Sequence, residues 1–238
     1  MVFLTCNYTW KAMKPVIGIT TPNRIYDFAL MCIKSSVRLC GGIPKTLQKL
    51  ESVEKENVDG LVLGGGTDVF PPLFQDVPKK DYLYDHNRDE MEIAWLRRAE
   101  LENIPVLAIC RGAQMMNIMH KGTLHLNTED VYKNFRRPRS LFKKIFTRKR
   151  IHIQEGSLLH KILDRKTLKV NSIHTQSVKD PGEGIRVVAR EDNEIVQAIE
   201  YPGRRFYLGV QFHPEFMIYR PSMRALFRGL INAASANT

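Results

Sequence analysis

The sequence lacks the patterns that mark several large classes of protein. Its four cysteines form no Cys-x-x-Cys pair and have no histidine partners at zinc-finger spacing, which argues against a disulfide framework or a structural metal. No apolar run approaches the roughly 18 to 20 residues that a membrane helix needs. Low-complexity segments and internal repeats are also missing, which excludes disordered, fibrous and solenoid classes. We therefore expect a soluble, cytoplasmic, globular protein with reduced thiols.

What is present is the composition of an ordinary globular domain. The chain has 238 residues, and 43% of them are hydrophobic, which suffices for one large core. Residues 1–12 are too short and too polar for a convincing signal peptide, and we interpret them as an N-terminal extension. The domain itself is expected to span residues 13–238.

Positive charge is the strongest compositional bias. The formal net charge is +11, and much of it falls in residues 131–150, which contain nine basic residues and no acidic residue. One interpretation is a solvated surface loop. Another is a binding site for an acidic partner, or a guard loop that selects an anionic substrate. Three phenylalanines in the same segment could stack on nucleic-acid bases or anchor the loop to the protein; they are Phe135, Phe142 and Phe146.

Short β-branched runs alternate with helical patterns in the first half of the chain. This alternation predicts a mainly parallel sheet with helices on both faces. The predicted strands are residues 15–20, 60–63 and 105–109, and the predicted helices are residues 27–39 and 89–102, with another after Cys110. Beyond His120, strands with few helices between them predict an antiparallel extension before a last helix. These strands are residues 124–126, 150–153, 168–174, 185–189, 194–200 and 206–212, and the helix is 222–234.

Three segments directly follow predicted strands, where open α/β sheets bind their ligands. In the first, an apolar strand leads into Cys110, with Gly112 two residues later and then a helix. This layout is typical of a nucleophile elbow, and a helix N-terminus favours a thiolate. A cysteine at the end of a strand is, however, also a common core residue.

The other two segments are short polar motifs. His213 and Glu215 would lie on the same side of an extended chain, so the carboxylate could orient the imidazole; they could equally be an exposed pair. The glycines at positions 64–66 would let backbone N–H groups approach a ligand, as an oxyanion hole requires, or would form only a flexible turn. The phosphate-loop pattern GxxxxGK[ST] is missing there.

Together these segments resemble the class I glutamine amidotransferase superfamily. Residues 109–114 read Ile-Cys-Arg-Gly-Ala-Gln and residues 212–215 read Phe-His-Pro-Glu, with the glycine-rich turn upstream in the expected order. The chain is most similar to the peptidase C26 group, the γ-glutamyl hydrolases typified by γ-glutamyl-γ-aminobutyrate hydrolase, over residues 14–234. The resemblance implies a flavodoxin-like three-layer sandwich with a mainly parallel central sheet and a C-terminal antiparallel extension. It implies no metal or organic cofactor.

The resemblance also assigns roles to individual residues. Cys110 would be the nucleophile, His213 the base and Glu215 the group that orients it. The oxyanion would rest on backbone N–H groups of Gly65 or Gly66 and of Arg111. Substrate-binding side chains would be Gln114 by the glutamyl pocket, and His174 with Gln176 on the leaving-group side. Arg88 and Asp89 belong to the same pattern, either as structural residues or as functional ones.

The implied reaction is hydrolysis of a γ-glutamyl amide through a γ-glutamyl thioester, which releases glutamate and an amine. Departures from the group pattern, such as Thr175 where a second histidine is common, leave the amine unidentified. One alternative is a glutaminase subunit that delivers ammonia to a separate synthase. Another is a non-catalytic binding protein that holds an acidic partner or nucleic acid on its basic loop. A homodimer is compatible with the sequence, and no membrane contact is expected.

Overall fold

A nine-stranded sheet forms the centre of the protein, and a two-stranded sheet lies beside it. The computed structural model describes residues 13–22, 27–132 and 148–236. The strand order of the large sheet is β2-β1-β3-β4-β11-β10-β9-β6-β7, and β5 pairs with β8. The strands are β1 (Val16–Thr20), β2 (Ile43–Leu47), β3 (Gly60–Leu63), β4 (Val106–Ile109), β5 (Leu124–His125), β6 (Lys149–Ile153), β7 (Thr167–Val170), β8 (Ser177–Val178), β9 (Arg186–Glu191), β10 (Val196–Glu200) and β11 (Tyr207–Val210).

The half of the sheet that carries β1 to β4 and β11 is parallel. Strands β3, β4 and β11 are buried at every position, as expected for strands covered on both faces. Their carboxyl ends meet at one edge of the sheet, so the residues that follow Leu63, Ile109 and Val210 are brought together there. This edge holds all three of the polar segments singled out in the sequence.

Helices cover both faces of the sheet. One hydrophobic cluster joins the sheet to α1, α6 and α7, and a second joins it to α3 and α4. The helices are α1 (Phe28–Leu39), α2 (Ser52–Lys55), α3 (His86–Leu101), α4 (Arg111–Met119), α5 (Thr128–Val131), α6 (Leu158–Leu163) and α7 (Pro221–Ser235), with 3-10 turns at Pro71–Phe74 and Pro214–Met217. Asp27, Asp85 and Ser157 accept hydrogen bonds from the first turns of α1, α3 and α6, which explains where these helices begin.

The other half of the sheet, from β10 to β7, is antiparallel. The predicted α/β class, its three layers and its C-terminal antiparallel extension are therefore confirmed. Three details of the strand prediction were wrong. Strands β2 and β8 were not predicted, and the strand predicted at residues 168–174 ends at Val170, after which the chain leaves the sheet. Asn171 then lies at the edge of the sheet where the three polar segments meet.

Of the predicted basic loop, residues 133–147 lie outside the described residues, as do residues 1–12 of the predicted extension. The last two residues of the basic segment, Lys149 and Arg150, belong to β6 and not to a loop. The division into an extension and a domain at residue 13 stays a prediction. Within the described ranges, no helix is long and apolar enough to cross a membrane.

Candidate active site

Cys110 occupies a sharp turn between β4 and α4. Its backbone has φ 51° and ψ −103°, a left-handed value of φ that is rare for a residue with a side chain. Such strain is retained only where the surroundings enforce it, and it is common at functional sites. Gly112 makes the turn possible, because a Cβ at that position would lie 2.5 Å from the carbonyl oxygen of Leu63 on the neighbouring strand. The predicted elbow is thus present in the backbone geometry.

His213 and Glu215 follow β11, the strand next to β4. The Nδ1 atom of His213 lies 2.7 Å from Oε1 of Glu215, and both side chains are buried. His213 also lies beside the side chain of Cys110. Burial alone would lower the pKa of His213, but its interactions with Glu215 and Cys110 outweigh burial and raise this pKa to about 10. His213 is therefore held as an imidazolium at neutral pH.

Two neighbours hold His213 in place. The Asn171 side chain accepts a hydrogen bond from the His213 backbone N–H at 2.8 Å and donates one to the His213 carbonyl oxygen at 3.2 Å. The Phe216 ring stacks on the imidazole, with the ring centroids 5.1 Å apart and the ring planes at 14° to each other. The backbone and the ring plane of His213 are therefore both fixed before any substrate arrives.

The glycine turn after β3 closes the third side of the site. A Cβ on Gly65 would lie 2.8 Å from Cε1 of His213 and 3.7 Å from Cβ of Cys110. Only a residue without a side chain fits between the two groups. The turn thus brings backbone within reach of the atoms where a reacting carbonyl would sit.

Comparison with known proteins identifies the family. The family model of peptidase C26 matches residues 15–215. The chain belongs to the peptidase C26 family. This membership confirms the resemblance drawn from the sequence motifs.

Relatives of this peptidase C26 chain are named as glutamine amidotransferases or γ-glutamyl hydrolases. One from Mycobacterium tuberculosis, named provisionally as a glutamine amidotransferase, is 30% identical over 94% of this chain and 76% of its own length. The γ-glutamyl-γ-aminobutyrate hydrolase of Escherichia coli K12 is 28% identical over 92% of this chain and 93% of its own length. The crystal structure of a glutamine amidotransferase from Thermotoga maritima has a TM-score of 0.64 over 94% of this chain and 99% of its own, at 15% identity. That structural likeness shows the shared fold.

The three side chains predicted to bind substrate are buried beside the elbow of this C26 domain. Gln114 donates to the Gln176 carbonyl oxygen at 2.8 Å and to Oε1 of Gln211 at 3.2 Å. The Gln176 amide group bonds to both backbone groups of Val69, at 2.8 and 3.1 Å. His174 lies 2.8 Å from the Gln176 carbonyl oxygen and 3.1 Å from Oγ of Ser172. All of these hydrogen bonds are to other residues of the chain, so direct contact of the three side chains with substrate stays a prediction.

Two residues at the site were not predicted as such. Gln211 donates from Nε2 to Sγ of Cys110 at 3.4 Å, and Asn171 binds His213 on both sides of its peptide unit. Gln211 gave only a weak signal, as a polar residue between the apolar end of β11 and the Phe-His-Pro-Glu segment. Asn171 was noticeable in the sequence only as part of the segment that resembles the family. In the described part of the chain, no group of three or more His, Cys, Asp or Glu side chains could hold a metal ion.

Proposed function

We propose that this chain is a cysteine-dependent hydrolase of γ-glutamyl amide bonds. One observation carries the proposal: buried His213 hydrogen-bonds to Glu215 and lies beside Cys110, whose backbone is held in a strained turn. This is the arrangement that an activated nucleophile requires. Membership of the peptidase C26 family supports a hydrolase or amidotransferase, and the name of the E. coli relative suggests the γ-glutamyl bond.

In the first half-reaction the Cys110 thiolate attacks the γ-carbonyl carbon of the substrate. A C–S bond forms, and the electron pair of the C=O bond moves onto oxygen. This oxyanion accepts hydrogen bonds from the backbone N–H groups of Arg111 and of Gly65 or Gly66. His213 then gives its proton to the amine nitrogen as the C–N bond breaks. The products are a γ-glutamyl thioester on Cys110 and a free amine.

The second half-reaction needs His213 as a base, and thioester formation makes it one. The thiolate charge that helped to raise the pKa of His213 is gone once Cys110 is acylated, whereas burial still disfavours the imidazolium. His213 can then take a proton from water while the water oxygen attacks the thioester carbonyl. Collapse of the tetrahedral intermediate breaks the C–S bond, releases glutamate and restores the thiolate–imidazolium pair.

The test of this proposal is glutamate release from a panel of γ-glutamyl amines, with free glutamine as one member. Turnover of γ-glutamyl amines in preference to glutamine would establish a free-standing hydrolase and its leaving group. Turnover of glutamine alone would favour a glutaminase subunit that supplies ammonia to a synthase. No turnover of any member, together with a Cys110 that does not react with iodoacetamide, would overturn the hydrolase and leave a binding role.

A cytoplasmic location is part of the same proposal, because the reaction needs a reduced thiol.

Gly65→Ala should lower kcat/KM by about 10²-fold or more. The φ of Gly65 is not positive, so alanine meets no backbone strain, and its effect comes from the Cβ placed 2.8 Å from Cε1 of His213. Steady-state kinetics of the variant on the best panel substrate measure the loss. Thr67→Ala in the same turn is the control and should retain activity near that of the wild type. Equal losses in the two variants would contradict the steric argument.

Asn171→Ala should lower kcat by about 10- to 100-fold with a small change in KM. The substitution removes both hydrogen bonds that fix the His213 peptide, so the imidazole loses its alignment with Cys110. Kinetics of the variant are compared with those of Asn57→Ala, which removes an amide side chain far from the site on the segment before β3. A rise in KM without a fall in kcat would instead assign Asn171 to substrate binding.

A further inference from the structure

Four charged side chains form a buried cluster between the glycine turn and the nucleophile elbow. Arg88, Asp89 and Glu92 come from α3, and Arg111 is the first residue of α4. All four are 3% exposed or less. Arg88 Nε donates to Oε1 of Glu92 at 2.8 Å, and the Arg111 guanidinium pairs with both Glu92 and Asp89. The two positive and two negative charges balance.

Such a cluster is an expensive way to stabilise a fold. Removing ions from water costs several kcal/mol each in practice, and their mutual attraction offsets this only when every polar atom is satisfied. Here Nη1 of Arg88, Oδ2 of Asp89 and Nε of Arg111 are buried without a hydrogen-bond partner among the described residues. The cluster is therefore poorly explained by stability, which makes a positioning role the better explanation.

Arg88 is the member that contacts the glycine turn. Its Nη2 atom donates to the Gly64 carbonyl oxygen at 2.9 Å. Its Nη1 atom packs against Gly66, where a Cβ would lie only 2.2 Å from it. The guanidinium thus holds the turn at one end by a hydrogen bond and supports it at the other by contact.

We propose that Arg88 is a positioning residue that sets the distance between the glycine turn and Cys110, so that the turn's N–H groups face the developing oxyanion. This inference rests on the proposed hydrolase function. Arg88 touches neither Cys110 nor the reacting carbonyl in the mechanism above, and it acts through the backbone of Gly64 and Gly66.

Glu92 connects the two halves of the oxyanion site. Its Oε1 accepts from Arg88 and, at 2.7 Å, from Oγ1 of Thr20 at the end of β1, while its Oε2 pairs with Arg111. Burial alone would raise the pKa of Glu92, but Arg111 and Arg88 lower it below its ordinary value, so the carboxylate stays ionised. The Glu92 carboxylate therefore connects Arg88, which contacts the glycine turn, with Arg111, whose backbone N–H is the second proposed oxyanion donor.

The kinetic test uses Arg88→Lys, Arg88→Met and Gly66→Ala, with Arg97→Met as the control on an exposed position of α3. Each of the first three should lower kcat by about 10²-fold with little change in KM, because the lost interaction matters only when the oxyanion forms. Alkylation of Cys110 by iodoacetamide, which creates no oxyanion, should proceed at nearly the wild-type rate. The control should match the wild type in both assays.

A double-mutant comparison separates this role from a general loss of structure. Arg88→Met and Gly66→Ala disturb one contact from its two sides, so the double variant should lose much less than the product of the two single losses. An aldehyde analogue of the γ-glutamyl group adds to Cys110 to give a thiohemiacetal, and each single variant should bind it more weakly than the wild type. Losses that multiply, or alkylation that slows in parallel with kcat, would overturn the proposal.

Hydrogen exchange tests the anchoring without any reference to catalysis. In Arg88→Lys and Arg88→Met the peptide that covers residues 64–69 should exchange faster, while peptides from β4 and β11 keep their wild-type protection. If the wild type hydrolyses no γ-glutamyl amide but this local change occurs, the proposed function fails and the anchoring by Arg88 stands. Unchanged exchange in the turn of both folded variants would overturn the anchoring itself.

Discussion

Cys110→Ala should abolish glutamate release, with a fall in kcat of at least about 10³-fold. The proposed mechanism assigns the nucleophile to Cys110, whose side chain lies beside the buried His213–Glu215 pair. Initial rates on the best panel substrate measure the loss. A γ-glutamyl thioester trapped by acid quenching and found by mass spectrometry should be present in the wild type and missing in the variant.

The other described cysteines supply the matched controls. Cys32 and Cys40 are free thiols on or next to α1, and burial raises the pKa of each, which makes them poorer nucleophiles than an ordinary thiol. Cys32→Ala and Cys40→Ala should keep wild-type rates and the trapped thioester. If Cys110→Ala retains turnover while either control loses it, the nucleophile has been assigned to the wrong residue.

The parts of the site that the sequence predicted are those set by short, local patterns. Each of β3, β4 and β11 is an apolar run that ends in glycine, cysteine or a polar residue, so the position of the functional segments followed directly from strand ends. The order of the parallel strands then places Cys110 beside His213. Local periodicity and the general rule for open sheets thus located the segments, whereas the roles of Cys110 and His213 came from the family resemblance and the strand order came from the structure.

Strand β2 shows where local patterns fail. Its sequence, Ile-Pro-Lys-Thr-Leu, mixes polar and apolar residues and contains a proline, because β2 is the edge strand of the sheet and is only partly covered. An edge strand lacks the continuous apolar run of the central ones, so its pairing with β1 decides its structure. That pairing is a tertiary property.

The segment after β7 was mispredicted for a related reason. Its residues continue an alternating pattern, which favours a strand to 174, but the pairing of β7 with β6 ends at Val170 and the buried side chains of Asn171 and Ser172 hydrogen-bond to partners distant in the chain. Asn171 binds the His213 peptide, and Ser172 donates to Glu191 at 3.0 Å. Partners so distant in the chain leave no mark on periodicity. The same holds for Arg88, whose contact with the glycine turn could not be inferred from its place on α3.

The pairing of His213 with Cys110 predicts an effect of pH that separates the base from the nucleophile. The pKa of His213 is raised to about 10 against an ordinary value near 6.5, so the folded protein holds this proton through neutral pH. The stabilisation from the proton is complete below about pH 6.5 and is lost as the pH rises through about 10. The positive charge beside Cys110 should therefore persist between about pH 6 and about pH 8, and NMR of the His213 imidazole should show no titration in that range.

His213→Asn should lower kcat by about 10³-fold or more, since both proton transfers pass through this residue. It should also slow the alkylation of Cys110 by iodoacetamide at about pH 7, because the positive charge beside the thiol is lost. Asn57→Ala should keep the wild-type alkylation rate. A His213→Asn variant that loses turnover but keeps the wild-type alkylation rate would mean that His213 serves the proton transfers without raising the reactivity of Cys110 through its charge.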